Sequence, residues 1–182
     1  MPRSIIIDGE LVLHDAHPDM TQALWEVIQA NYAHLHPYLP WVDQVATLQQ
    51  ARQFLRETAL FNQGGQKLIL FIHLREKLIG SVGLMRIDHR QAQAEIGFWL
   101  GAAWEGQGLM SRALQALLEV AFTELALRRL EMRILPHNRR AIALAERQGF
   151  YREGTLRQAI QIDQQVHDVA LYSLLADDPA AP

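Results

Sequence analysis

The sequence predicts an α+β (mixed α/β) fold, with a twisted mixed sheet of about six or seven strands flanked by about four helices. Two apolar runs, KLILFIHL and LIGSVGLMRI, are separated only by residues 75–77, which is typical of a β-hairpin. A third apolar run, AEIGFWL, precedes a glycine-bearing turn, a long amphipathic segment and a further strand. Hairpins on both sides of a strand–helix–strand unit indicate a sheet with antiparallel and parallel pairs.

The first part of the chain predicts a strand, a helix and a loop. Residues 10–15 (ELVLHD) alternate polar and apolar side chains, as a half-buried strand does. Asp19 is the expected N-cap of a helix that runs to about Tyr32. The segment 34–43 (HLHPYLPWVD) contains two prolines and several aromatic residues, so we expect it to be an ordered loop.

The middle of the chain predicts two helices around the hairpin and the third strand. Thr47 and Gln50 form a capping-box pattern, which opens a helix that ends at the glycines 64–65. Residues 94–100 are mostly apolar, which favours a central strand. Residues 108–126 form the long amphipathic segment. Its apolar residues are Met110, Ala113, Leu114, Leu117, Ala121 and Phe122.

The last part of the chain predicts a strand, a helix and two further strands. Residues 130–135 (LEMRIL) form the strand, and Asn138 caps a helix that stops before Gly149. The two final strands are expected around residues 150–156 and 166–174.

Length and composition narrow the possible functions. The chain has 182 residues, with 17 Lys and Arg against 20 Asp and Glu. This length predicts one domain, residues 1–176, followed by a frayed tail, residues 177–182. The absence of cysteine excludes disulfides, cysteine-based zinc sites and a cysteine nucleophile. A pI near 6.2 disfavours a general nucleic-acid partner.

The apolar segments are too short for membrane insertion or secretion. No run reaches the roughly 18 apolar residues of a membrane-spanning helix. The N-terminal region has only three consecutive isoleucines, residues 5–7, whereas a secretory signal needs roughly 7–15 apolar residues. We therefore expect a cytoplasmic protein with no membrane partner.

The turn WEGQGLMS is the most informative segment. Glycines between a strand and a helix let the backbone approach a ligand, and a helix start directs free N–H groups towards an anion. A dinucleotide-binding fingerprint requires a third glycine where Ser111 stands, and a P-loop requires a Gly-Lys-Ser/Thr triplet that the chain lacks. Both nucleotide motifs are therefore excluded, while a tight turn that simply needs glycine remains an alternative.

Several segments together resemble the GNAT N-acetyltransferase superfamily. The run AEIGFWL, the turn WEGQGLMS and Asn138 with Gly149-Phe150 follow that family's order. The segment HLHPYLPWVD resembles the RimJ/RimL-type group, which acetylates protein N-terminal amines and other primary amines. The resemblance covers the chain from Leu11 to Leu175. It implies a GNAT-like sheet and direct acetyl transfer from acetyl-CoA, most favourably to a protein N-terminal α-amine of ribosomal-protein type or to a small amine.

The same resemblance implies where acetyl-CoA binds. In this family the backbone N–H groups of the turn wrap the pyrophosphate. The corresponding donors are Gln107, Gly108, Leu109, Met110 and Ser111. The family pattern Gln/Arg-x-x-Gly-x-Gly/Ala becomes Glu105-x-x-Gly108-x-Met110, and Met110 also occurs in RimL-type relatives. Glu105 places an acid near two phosphates, which is unfavourable unless its side chain points outward.

Other cofactor contacts follow from the resemblance. Asn138 matches the asparagine that touches the pantetheine arm, although asparagine is also a common helix cap. Arg112, Arg139 and Arg140 are candidates for the 3′-phosphate of the cofactor, although exposed arginines are usually only solvated.

Glu95 matches the catalytic base of histone acetyltransferases in the same superfamily. A carboxylate flanked by apolar residues on a central strand is unusual without a task or a partner. It is also compatible with an exposed strand-end acid or with pairing to a structural arginine. Relatives place a serine, a tyrosine or a glutamate where this chain has Ala141, Ala145 and Ile160, so no general acid is assigned.

The expected chemistry is direct transfer to an amine. The reaction needs a neutral nucleophile, donors for the thioester oxygen and a proton for the leaving thiolate. An α-amine with a pKa of about 7.8 costs about 1 kcal/mol to deprotonate at pH 7, whereas lysine costs about 4–5 kcal/mol. A site with few acid and base groups therefore suits N-terminal amines better. Tyr38 and Trp41 are expected to line the acceptor channel, although lid or core packing explains them nearly as well.

The histidine pairs and the missing polar residues bear on metal binding and on an alternative function. The close histidine pairs, His14 with His17 and His34 with His36, have no third ligand at a recognisable spacing, so we expect no metal. The missing serine and glutamate favour an alternative function, a catalytically weakened acyl-CoA-binding sensor or partner-binding module. Relatives of the RimJ/RimL type are often homodimers, so the resemblance also implies a homodimer.

Overall fold

A mixed sheet runs through the computed structural model, which describes residues 3–179 and 181. Within these residues the chain forms eight strands and five α-helices. The strands are β1 (Ser4–Ile6), β2 (Leu11–Asp15), β3 (Leu68–Leu74), β4 (Lys77–Asp88), β5 (Gln93–Leu100), β6 (Arg129–Ile134), β7 (Tyr151–Ile162) and β8 (Gln165–Leu175). The helices are α1 (Thr21–Ala30), α2 (Tyr32–Leu35), α3 (Leu48–Gln63), α4 (Leu109–Glu119) and α5 (Arg139–Arg147).

The sheet has the order β1-β2-β3-β4-β5-β6-β8-β7. Every neighbouring pair is antiparallel except β5 with β6, which are parallel and are joined through α4. The predicted mixed α/β class and the central position of β5 are therefore confirmed. The sheet has more strands than predicted, and β1 was missed because three residues are too few to show an alternating pattern.

Two local predictions were wrong, and proline explains both. Asp19 is not the N-cap of α1, because Pro18 starts a 3₁₀ turn, Pro18–Met20, and the cap of α1 is Met20. Segment 34–43 is not a loop throughout. It contains part of α2, and Pro40 begins a 3₁₀ turn that extends to Val45. Proline at the first position of a helical turn loses no hydrogen bond, so it starts such turns as readily as it interrupts them.

Most other helix boundaries agree with the sequence. The Thr47 hydroxyl accepts from the Gln50 N–H at 3.2 Å, and the Gln50 side chain accepts from the Thr47 N–H at 3.0 Å, which completes the predicted capping box. Beyond α4, residues Val120–Glu124 continue with wider π-helical turns. None of the helices in the described part of the chain has both the length and the apolar character needed to cross a membrane.

The sheet is covered by helices on both faces. On one face, α4 and α5 pack on β4, β5, β6 and β8, with Leu114, Ala113 and Leu117 fully buried. On the other face, α1 and α3 pack on the half of the sheet that contains Phe71, and Trp99 is buried there. Complete burial of each large aliphatic side chain contributes about 1.5–3 kcal/mol, so packing on both faces stabilises β5 in the sheet.

The predicted C-terminal tail, residues 177–182, falls only partly within the described residues. Residues 180 and 182 lie outside the described residues. The segment that follows β8 begins with a turn, in which the Asp178 carboxylate accepts the Leu175 N–H at 2.8 Å.

Candidate active site

A large cleft opens where β5 and β6 separate. The two strands pair only at their first positions, with Gln93–Glu95 opposite Arg129–Glu131. Beyond this point the strands diverge, and a cavity of about 1190 Å³ lies between them, lined by both strands, the glycine turn and the start of α5. This volume exceeds that of most small-ligand sites, about 300–1,000 Å³, so the cleft has room for a large cofactor.

The glycine turn forms one wall of this cleft. Gly106 and Gly108 have φ angles of 74° and 73°, which only glycine adopts at little cost. A Cβ added to either residue would meet no heavy atom within 4 Å, so the space in front of the turn is open. Leu109–Ser111, the first turn of α4, line the cleft beside Gly108. Since the first N–H groups of a helix have no intrahelical acceptor, this wall suits an anion.

Glu95 also lines the cleft, at the last paired position before the two strands part. Its side chain is 17% exposed, and its Oε2 accepts a hydrogen bond from Arg86 Nη1 at 2.7 Å. The same oxygen lies 3.5 Å from Arg133 Nε. The carboxylate therefore faces the cleft and also belongs to an ion pair with two arginines, so the geometry is compatible with a base and with a structural pair.

Asn138 and Tyr38 also line the cleft. Asn138 is the N-cap of α5, and its Oδ1 accepts the Ala141 N–H at 3.1 Å. Tyr38 approaches from the segment after α2, and its ring centroid lies 5.6 Å from that of His137. The segment after α2 and the residues just before α5 therefore meet at the cleft.

Gln107 and Trp41 are not among the residues that line this cleft. The Gln107 side chain turns back and donates to the Ala103 carbonyl at 3.0 Å. The Trp41 ring stacks on Phe54 with centroids 5.1 Å apart, within the α1–α3 layer. The role assigned to the Gln107 backbone N–H stays a prediction, and the packing of Trp41 supports the alternative of lid or core packing.

Glu105 is held between two basic side chains. Its Oε1 lies 2.9 Å from His34 Nε2, and its Oε2 forms an ion pair with Arg140. The Glu105 side chain is 23% exposed and lines the cleft, so it does not point outward. The charge that would repel phosphates is instead paired.

The three candidate arginines for the 3′-phosphate lie in different places. Arg139 and Arg140 line the cleft. Arg112 does not, and it forms an ion pair with Asp8, in the turn between β1 and β2.

Comparison with known proteins shows the family of this chain. Residues 10–151 match the family model described as an acetyltransferase (GNAT) domain. The chain belongs to the GNAT acetyltransferases. It is 30% identical over 177 residues to the ribosomal-protein-serine acetyltransferase of Escherichia coli (strain K12), a match that covers 97% of this chain and 99% of the relative.

Solved structures of GNAT acetyltransferases have the same fold. The structure of RimL, the ribosomal L7/L12 alpha-N-protein acetyltransferase, in complex with coenzyme A has a TM-score of 0.91 and 28% identity, and the match covers 95% of this chain and 98% of that one. The microcin C7 self-immunity acetyltransferase MccE in complex with acetyl-CoA and AMP has a TM-score of 0.88 and 27% identity, with 93% and 94% covered.

This GNAT chain contains cleft residues that sequence reasoning did not assign. His137 lines the cleft beside Asn138, and His34 reaches Glu105 over a separation of 71 residues. The only feature of the sequence that pointed to the contact between His34 and Glu105 was the departure of Glu105 from the family pattern. Because the pair joins α2 to the turn before α4, no local pattern could have revealed it.

The histidine pairs of the sequence have other partners. His36 Nε2 lies 3.4 Å from Asp43, and its Nδ1 lies 3.8 Å from Asp163. His14 Nδ1 lies 2.9 Å from the Ser4 hydroxyl. Over residues 3–179 and 181, no group of three or more His, Asp or Glu side chains could hold a metal ion.

Proposed function

We propose that this protein is an acetyl-CoA-dependent N-acetyltransferase whose acceptor is a protein N-terminal α-amine. The observation that carries the proposal is the glycine turn, whose open face and helix start border the cleft between β5 and β6. Its relatives include a ribosomal-protein-serine acetyltransferase and the L7/L12 alpha-N-protein acetyltransferase. The acceptor class rests on these relatives.

The cleft residues fit acetyl-CoA. The N–H groups of Gln107–Ser111 would bind the pyrophosphate. This requires the phosphates to come close to the backbone, and a side chain in place of Gly106 or Gly108 would obstruct them. Asn138 would contact the pantetheine arm, since it lines the cleft from the start of α5. Arg139 and Arg140 lie beside it and remain the candidates for the 3′-phosphate.

Acetyl-CoA would supply the acetyl group as a thioester, whose C–S bond breaks as the C–N bond to the acceptor amine forms. Coenzyme A would leave as the thiolate and take a proton from the amine nitrogen or from water. The chain has no cysteine, so the amine attacks without a cysteinyl acyl-enzyme. Glu95 would accept the proton that the amine loses, directly or through one water. Its pairing with Arg86 does not block this role, because the Arg86 side chain is 69% exposed and exposed pairs are weak.

The cleft favours an amine that needs little help to lose its proton. At the positions where relatives carry polar groups, Ala141 and Ala145 are buried and Ile160 lines the cleft. An α-amine is deprotonated at pH 7 at a cost of about 1 kcal/mol, several kcal/mol less than lysine. Tyr38 would contact the acceptor from the α2 side.

The same apolar positions favour a second candidate function. A protein of this fold with Ala141, Ala145 and Ile160 in place of polar groups, and with Glu95 engaged by two arginines, suits an acyl-CoA-binding sensor or partner-binding module. Both candidates require acetyl-CoA to bind, and only the enzyme releases coenzyme A.

The test measures melting temperature and turnover. Acetyl-CoA at about 100 times its Kd should stabilise the fold by about 2.7 kcal/mol. Free coenzyme A should then appear with peptides that carry free N-termini, and any thiol detected comes from the coenzyme because the protein has none. An unchanged melting temperature would exclude both candidates, and stabilisation without turnover on any peptide or amine would leave the binding module.

Glu95→Gln tests the base. We expect kcat to fall about 10²-fold or more at neutral pH and the fall to shrink at high pH, where the amine is already neutral. Glu131→Gln is the matched control, because Glu131 is the register neighbour of Glu95 on β6 and pairs with Arg129. Full activity of Glu95→Gln at every pH would remove Glu95 as the base.

Two further properties are part of this proposal. Since the relatives act on ribosomal proteins, we place the protein in the cytoplasm. Because RimJ/RimL-type relatives are often homodimers, we propose the same assembly. Sedimentation at micromolar concentration should give about twice the mass of the 20.7 kDa chain.

A further inference from the structure

A bridge of side chains joins the glycine turn to the α2 side of the cleft, where Tyr38 is proposed to contact the acceptor. The Glu105 carboxylate, immediately before Gly106, contacts His34 Nε2 at 2.9 Å and also pairs with Arg140. Because an ionised carboxylate only accepts hydrogen bonds, His34 Nε2 must donate. Three elements, α2, the glycine turn and α5, therefore meet at one carboxylate.

A second contact supports the same connection. Asn31, between α1 and α2, accepts the Ala102 N–H with its Oδ1 at 2.9 Å. Its Nδ2 donates to the Val27 carbonyl at 2.8 Å, so the side chain is fixed at both ends. Residues 31–34 thus brace residues 102–105 at two points, one neutral and one charged.

The helix held by this bridge also positions an acceptor-side residue. His34 lies on α2, and the Tyr38 N–H donates to the Leu35 carbonyl at the end of that helix at 3.0 Å. A helix of four residues has little stability of its own. Its position, and with it that of Tyr38, depends on contacts such as the one between His34 and Glu105.

The charges around Glu105 link this bridge to the donor side. The Arg140 side chain is 75% exposed, so it can leave Glu105 when a phosphate group enters beside the turn. The half-buried imidazole of His34 would then be the remaining partner of the carboxylate. An anion at the turn and the position of α2 are thereby connected through one side chain.

We propose that Glu105 is a positioning residue that holds α2 against the glycine turn through His34 and so couples the donor and acceptor halves of the cleft. The proposal rests on the function proposed above for this cleft. It concerns a residue at which the chain departs from its family's pattern, which has glutamine or arginine at this position. The departure therefore has a structural use in this chain.

The first test separates acceptor binding from donor binding. His34→Ala and Glu105→Ala should each raise the KM for an N-terminal peptide about fivefold, as expected for the loss of one ion pair at a partly exposed site. The double variant should be no worse than either single variant, because both remove the same contact. Glu105→Gln, which keeps the acceptor oxygen, should recover part of the loss.

The control variant is Glu76→Gln, which makes the same chemical change in the exposed turn between β3 and β4. It should leave both KM values unchanged. Additive effects of His34→Ala and Glu105→Ala would overturn the proposal. A lower KM for acetyl-CoA in Glu105→Ala with an unchanged peptide KM would also overturn it, since Glu105 would then act only as a repulsive charge.

The second test does not require turnover. Amide hydrogen exchange over residues 32–38 should be faster in Glu105→Ala than in the unaltered protein, and acetyl-CoA should slow exchange there only when Glu105 is present. Unaltered exchange in the variant would overturn the proposal even if the protein is an active enzyme. Faster exchange in a protein that acetylates no amine would support the bridge and reject the enzymatic function.

Discussion

At the scale of single residues, the backbone conformation of Gly108 gives the most direct test of the proposed ligand site. Its φ of 73° costs an alanine roughly 1–2 kcal/mol, and a Cβ there would project into the open space before the turn. We expect Gly108→Ala to weaken acetyl-CoA binding about tenfold, or about 1.4 kcal/mol, as measured by titration calorimetry.

A control at a second glycine distinguishes the cost of backbone strain from obstruction of the ligand by the added Cβ. Gly65, at the end of α3, has a φ of 68° and room for a Cβ, with its nearest contact at 3.5 Å. Gly65→Ala should therefore lower the melting temperature as Gly108→Ala does, while acetyl-CoA affinity stays the same. Equal affinities in the two variants would mean that the turn is not the pyrophosphate site.

At the scale of elements, two helices begin with the same kind of cap in different surroundings. Asn138 caps α5 inside the cleft, and Thr47 caps α3 away from it. Replacing either residue by alanine should cost about 1 kcal/mol of stability, measured by thermal or denaturant unfolding.

Ligand binding should distinguish these two caps. We expect Asn138→Ala, but not Thr47→Ala, to weaken acetyl-CoA binding, because only Asn138 lines the cleft. If both variants bind acetyl-CoA as tightly as the unaltered protein does, Asn138 is a cap and nothing more.

At the scale of the whole molecule, an ion pair across β6, β7 and β8 makes stability depend on pH. Glu153 accepts two hydrogen bonds from Arg129, both at 2.7 Å, and one from Ser173. The Arg129 bonds, followed by the Ser173 bond, lower the pKa of Glu153 from 4.5 to about 2. A carboxyl whose pKa is lower in the folded state than in the unfolded state stabilises the folded state at pH values above its unfolded-state pKa. This contribution is lost as the pH falls towards the folded-state pKa.

Glu153→Gln should reveal this contribution. At pH 7 we expect the variant to lose of the order of 1 kcal/mol of unfolding free energy, as is usual for a partly exposed pair. The difference should shrink below pH 4.5 and disappear near pH 2, in urea unfolding at several pH values. A difference that does not change with pH would show that packing, and not charge, causes the loss.

The sequence predicted the elements whose signals are local. The capping box at Thr47, the cap at Asn138 and the hairpin of β3 and β4 depend on residues within a few positions of one another. The errors at Asp19 and at segment 34–43 are also local, because proline starts 3₁₀ turns as well as ending helices. The glycine turn could be recognised because a positive φ limits the choice of residue.

The tertiary structure decided which of these residues meet. The separation of β5 from β6 after Glu95 creates the cleft, and strand separation has no signature in either strand. The partners of Glu95 and Glu105, and the packing of Trp41 on Phe54, depend on contacts between distant elements. The sequence by itself therefore determined the family, most of the order of elements and a candidate anion-binding turn. Long-range packing alone decided which carboxylates face the cleft and what neutralises them, because those contacts form only after the elements assemble.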